Sequence, residues 1–168
     1  MSDLMRRLNL AVLITVLSAS AVSAQHRSTY SQDNGPLLGP QLGFATNSLD
    51  FFIGGQFSYP IAKQFDIYPS FDFFFPGNNV TVWGINAEGR YWPKLNMVNP
   101  GLYVGGGLDI THSSVSVLGV SASSTDAGLG LLGGWDFKAV SWRPFAQIHI
   151  VIGNADRVEF GGGVNFKL

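Results

Sequence analysis

The residues of this sequence that could do chemistry are three histidines, a set of carboxylates and a serine-rich stretch. His112 is followed by Ser113 and Ser114, and an imidazole held beside a hydroxyl can act as its general base, the arrangement that activates a serine nucleophile. Such a pair needs an acid to orient the imidazole, and Glu88 and Glu159 are the glutamates of the chain. His26 and His149 lack metal-ligand spacing, and His149, with Gln147 and Val151 on its face, reads as a hydrogen-bonded interior residue. Asp50, Asp72, Asp109, Asp126 and Glu159 would suit a hard cation such as Ca²⁺ if folding gathered them, with a hydrated acidic mouth as the plainer outcome. The absence of cysteine removes thiolate catalysis, cysteine-based zinc sites and disulfides. With 10 basic and 11 acidic residues the net charge is -1, so nucleic acid finds no electrostatic footprint. No catalytic, cofactor-binding or metal-ligating set is assigned, and no cofactor is expected.

Which of these residues meet depends on the elements that carry them. Hydrophobic residues make up 46% of the chain and charged ones 12%, with 21 glycines and 8 prolines, a composition that points to strands rather than a helical bundle. Met1 to Ala24 reads as a secretory signal, with Arg6 and Arg7 ahead of the apolar run Leu10 to Leu17 and small residues Val22 and Ala24 before a cut after Ala24. That run is well short of the about 20 apolar residues a membrane helix needs. Gln25 to Pro36 is polar and aperiodic, a flexible periplasmic lead-in. From Leu37 to Leu168 turn chemistry divides the chain into strands expected at 37–46, 49–59, 65–75, 80–92, 101–111, 125–137, 142–152 and 157–168.

Alternate side chains of a strand point to opposite faces, and here the two faces separate cleanly. One carries Phe51, Ile53, Phe71, Ile85, Leu108, Ile110, Leu129, Leu131, Ile148, Ile150 and Phe160, while the other holds Asp50, Asp66, Asp72, Glu88, Arg90, Asp109, Asp126, Asp136, Arg143, Arg157, Glu159 and Lys167. A soluble sandwich or lipocalin-like barrel would alternate too, with its apolar face inside. Strand length and aromatic placement choose between them. Strands of about ten residues fit a tilted crossing of an apolar layer. Tyr59, Phe65, Tyr91, Trp135, Phe137, Trp142 and Phe166 fall at one end of the strands, and Phe44, Phe51, Phe73, Phe75 and Trp83 at the other. Two aromatic girdles around an apolar band are what a membrane barrel presents to lipid. The fold class expected is therefore all-β, an eight-stranded antiparallel up-and-down transmembrane β-barrel. Its first and last strands must pair, because an open edge in hydrocarbon leaves backbone groups unsatisfied.

On this pattern Leu37 to Leu168 resembles the small eight-stranded outer-membrane β-barrel proteins of Gram-negative bacteria, of the OmpA transmembrane-domain and OmpX kind, a porin-like superfamily. The end of the chain, Gly163-Val164-Asn165-Phe166-Lys167-Leu168, is similar to the terminal signal read by the barrel-assembly machinery, with Leu168 where the family commonly ends in Phe. The resemblance implies the cell outer membrane, both termini in the periplasm, contact with outer-membrane lipid and lipopolysaccharide, and a structural or surface-interaction role without catalysis. A monomer is expected, with neither a peptidoglycan-binding domain nor cell-wall anchoring. Two alternatives stand beside it. One is a narrow channel. The other is a lipid A-modifying enzyme similar to deacylases of the PagL type, which place a His-x-Ser pair toward lipid; His112 and Ser114 share the outward parity, but both glutamates point inward.

Inside such a barrel there is room for side chains or one small ligand. Tyr68, Phe74, Tyr103 and Phe145 are expected over glycines such as Gly105, Gly107, Gly128, Gly130, Gly161 and Gly163. Toward the periplasm, Arg90, Arg143 and Lys167 are expected to pair with Glu88, Asp66 and Asp136 as a salt-bridge plug. The external stretch His112 to Ser124 is expected to be either a loop or a hairpin rising above the membrane. As a hairpin, residues 112–124 would offer a surface partner an edge for strand addition.

Overall fold

Period-two alternation gives each strand one apolar and one polar face, and the structure rolls these strands so that the polar faces meet inside. The computed structural model describes residues 35–47, 50–77, 80–93, 101–117, 120–137 and 142–168. Eight strands follow in order: β1 Leu37–Ala45, β2 Asp50–Ala62, β3 Phe65–Phe74, β4 Val80–Tyr91, β5 Leu102–Val117, β6 Val120–Asp136, β7 Trp142–Gly153 and β8 Arg157–Lys167. Each pairs antiparallel with its sequence neighbour, and β1 pairs with β8 through partners such as Leu38↔Phe166 and Phe44↔Phe160. The sheet is a closed barrel. The expected signal, 1–24, lies outside the described residues, as does the lead-in up to residue 34. At the end of that lead-in the Pro36 carbonyl accepts a hydrogen bond of 3.0 Å from the Leu168 N–H.

The face assignment is as the alternation implies. Leu42, Ile53, Phe71, Ile85, Leu108, Leu129, Ile148, Ile150 and Phe160 are exposed on the outside, whereas Asp66, Asp72, Glu88, Arg90, Asp109, Asp136, Arg157 and Glu159 are buried inside. The polarity of a soluble core is thus reversed. Rings gather at both rims: Phe65 and Tyr91 lie 4.9 Å apart at one, and Phe44, Phe51 and Phe75 follow one another at 5.5 and 6.0 Å at the other. Lys167, expected inside, is exposed at the rim instead, because β8 runs out there.

Two boundaries differ in an instructive way. β2 runs on through Pro60 to Ala62, with an irregularity in its pairing to β3 between Pro60 and Ala62, the kind of position where a residue without an N–H is tolerated. Residues 112–117 and 120–124 are strand rather than loop: β5 and β6 continue past the barrel rim and stay paired through Ser113↔Ser124, Val115↔Ala122 and Val117↔Val120. The hairpin alternative was the right one, since Ser, Val and Thr in alternation suit a ladder as well as the strands below.

Interior packing relies on missing side chains at a few places. A Cβ at Gly134 would lie 2.4 Å from Tyr103 Oη, and one at Gly163 would lie 2.8 Å from the Phe145 ring, so large rings do cover glycines. The exterior band generates a test. Ile148→Arg puts a charge in the middle of that band, and the free energy of unfolding from phospholipid vesicles in urea is expected to fall by about 2–4 kcal/mol, whereas His112→Arg at the rim is expected to change it by no more than about 1 kcal/mol.

Candidate functional site

Two regions concentrate the polar residues, the barrel interior and the extended β5–β6 hairpin. At the end of the interior nearest Leu37 and Lys167, β3 and β4 place Asp66 opposite Arg90. Arg90 Nε donates to Asp66 Oδ1 at 3.1 Å and Nη2 to Oδ2 at 2.7 Å, a bidentate pair completed by a 2.6 Å bond from Ser58 Oγ. The guanidinium also lies 3.9 Å from the centre of the Tyr68 ring, 4.9 Å from Tyr103 and 5.3 Å from Trp92. A fully desolvated cation is thus matched by a carboxylate at its edge and by ring faces around it.

Further up, amides relay between the layers. Tyr103 Oη donates to Gln147 Oε1 at 3.0 Å, Gln147 Nε2 to Gln41 Oε1 at 3.3 Å, and Gln41 Nε2 to Asp72 Oδ1 at 2.6 Å. Asn86 reaches both Ser70 and Asp72 at 3.0 and 3.1 Å. Above this, His149 sits between two carboxylates, Nδ1 3.0 Å from Glu159 and Nε2 2.9 Å from Glu88. Arg157 Nη2 lies 2.6 Å from Asp109 Oδ2, its Nε donates to Glu159, and Nη1 donates to Thr111 at 2.8 Å.

These contacts correct two expectations. Glu88, expected beside Arg90, Arg143 or Lys167, is partnered by His149, and Arg90 pairs with Asp66. Three of the carboxylates expected to form an acidic mouth are also not open to water. Asp72, Asp109 and Glu159 are buried, and Arg157 occupies the space between Asp109 and Glu159 that a bound cation would need. Asp126 is half-buried and accepts a 3.3 Å bond from Ser124, while the side chain of Asp50 lies outside the described residues. The expected interior role of His149 holds, but its link between Glu88 and Glu159 was not visible in one dimension. The link depends on Gly130, where a Cβ would lie 2.6 Å from both Glu88 Oε1 and His149 Nε2.

On the outer surface, His112 is half-buried against Trp83, ring centres 5.0 Å apart and nearly parallel, and Trp83 stacks in turn on Phe71 at 6.2 Å. His112 Nδ1 lies 2.9 Å from Thr125 Oγ1 on the neighbouring strand. The structure therefore gives this imidazole a threonine partner across the ladder, and leaves both glutamates on the far side of the barrel wall with His149. Above His112, Ser114, Ser116, Ser121, Ser123 and Thr125 share the outward face of the hairpin, and Ser116 and Ser121 are 3.2 Å apart.

Comparison with solved structures places this arrangement. The N-terminal β-barrel domain of Pseudomonas aeruginosa OprF is similar with a TM-score of 0.64 at 15% identity, over 80% of this chain and 98% of that one. Neisserial surface protein A gives a TM-score of 0.61 at 19% identity, over 79% of this chain and 96% of that one. Ail, the attachment invasion locus protein of Yersinia pestis, gives 0.53 at 13% identity, over 80% and 99%. No protein-family model and no curated protein matches the sequence. The fold is that of the small eight-stranded outer-membrane β-barrels.

The Arg90 layer yields a double-mutant test. Arg90→Met leaves Asp66 buried without its cation and is expected to lower unfolding free energy by about 3–5 kcal/mol. Adding Asp66→Asn is expected to restore a large part of that loss, read from urea titrations of the single and double variants.

Proposed function

We propose that the protein resides in the outer membrane of a Gram-negative cell as a monomeric barrel with a structural or surface-interaction role and no catalytic activity. One observation carries this reading: apolar side chains ring the exterior while an ion-pair and amide network fills the interior. Such a wall is at rest in hydrocarbon, where every backbone group finds its partner in the closed ladder. Lipid and lipopolysaccharide are then its lateral surroundings, and Gly163 to Leu168 its contact with the assembly machinery. The surface role rests on the β5–β6 hairpin, whose strands of 16 and 17 residues outrun the 9 to 13 residues of the others. Ail, one of the structural neighbours, is named for attachment.

The alternatives draw less support. A channel needs a water path, and successive layers around Arg90, Asp72, His149 and Arg157 are bonded across the lumen. A lipid A deacylase needs an acid behind its histidine, and His112 faces Thr125. The membrane fraction is expected to contain a form that migrates faster on unheated gels than after boiling. Purified protein is expected to give no stepwise conductance in planar bilayers, and His112→Ala in an overexpressing strain to leave the lipid A mass spectrum unchanged. A porin-like conductance or a missing acyl chain would overturn the assignment.

A further inference from the structure

Above the barrel the hairpin leaves a long sheet edge without a neighbour. β6 pairs with β5 from Val120 onward but with β7 only from Gly128, opposite Gly153, where β7 ends. Residues 120–127 thus pair on one side, and this is the longest such edge among the described strands. Proteins ordinarily protect an exposed edge with lysine, proline or a bulge. This segment, Val-Ser-Ala-Ser-Ser-Thr-Asp-Ala, contains none of the three, and its single charge, Asp126, lies at the base. Beside it the barrel is low: β7 and β8 are joined by residues 154–156 alone. The outer end is therefore a step, a raised hairpin next to an empty shelf.

We propose that this hairpin pairs edge to edge with the hairpin of a second copy held in an opposed membrane, making the protein a homotypic contact between two membranes. The proposal rests on the outer-membrane surface reading above and names its partner. Symmetry supplies the orientation. Two identical edges join as one continuous sheet about a twofold axis perpendicular to it, which makes the strands antiparallel and keeps each face on its own side. Copies in one membrane all point their β6 strands the same way, so their edges meet parallel; copies from facing membranes meet antiparallel. A raised edge beside a low shelf is complementary to itself in that arrangement, because each hairpin comes down over the short β7–β8 turn of the other. Pairing centred on Ser123 sets Ser121 against Thr125 of the second copy and Ala122 against its Ser124. Hydroxyl then meets hydroxyl on the outward face, and Asp126 lies opposite position 120 rather than opposite another carboxylate. Eight residues at about 3.3 Å each span roughly 25 Å, which sets the closeness of approach.

The test uses the whole protein in phosphatidylcholine vesicles, half of them carrying a donor lipid dye and half an acceptor. Maleimide labelling of Ser123→Cys, in a chain that has no other cysteine, confirms that the hairpin faces outward. Turbidity and energy transfer are expected to rise several-fold only when both populations carry the protein. Ser123→Lys and Ser123→Glu, each checked for folding by the heat-dependent gel shift, are expected to stop self-clustering, because like charges meet at the centre of the pairing. Lys vesicles mixed with Glu vesicles are expected to cluster again. Wild-type vesicles that stay apart, clustering with protein-free vesicles, or clustering indifferent to both charge variants would each overturn homotypic pairing. If deletion of residues 116–121 still abolished attachment of whole cells in that case, the surface role would stand with a different partner.

Discussion

The constraint on which this structure depends is that its outer wall carries no charge within the apolar band among the described residues, so that the ionic groups of the strands at that level are forced inside. A barrel of eight strands has too narrow a lumen to hydrate them freely, and a desolvated ion without a partner is costly. The interior is therefore organised as a stack of neutralising contacts. Arg90 is held by Asp66 and three rings, His149 by two glutamates, and Arg157 by Asp109 and Glu159. Glycines and aromatic rings fill what remains between these layers.

That stack bears on function by exclusion. Side chains hold one another across the lumen from layer to layer, as along Tyr103, Gln147, Gln41 and Asp72. What the molecule offers to its surroundings is then its exterior: an apolar band, two aromatic rims, and a hairpin that extends the β5–β6 ladder beyond the barrel. At the same end β7 and β8 are joined by residues 154–156 alone, so the hairpin stands above its neighbours there.

His112 shows how the same residue reads differently in one and three dimensions. In sequence it is a base two residues from a serine. In the fold, Ser114 is the next residue on the same face of the same strand, and the side chains that reach the imidazole come from across the ladder, Thr125 on β6 and Trp83 on β4. On a sheet the neighbouring strands bring in side chains from far along the chain, so the His-x-Ser spacing by itself does not make a catalytic pair.

The sequence by itself determined the strand number, the faces and the closure, because period-two alternation is a local property, strand length and the two aromatic rims turn the apolar face outward, and hydrocarbon admits no open edge. It also placed most strand ends, missing Pro60 within β2 and the full length of β5 and β6, where serine and valine suit strand and loop alike. Only the tertiary structure decided which charges meet. Closure of the barrel brings Glu88 on β4 across the lumen to His149 on β7, residues that no spacing along the chain connects, while His149 meets Glu159 across the β7–β8 hairpin. The Glu88–His149 contact follows from the closed ladder, which exists only once the last strand has found the first.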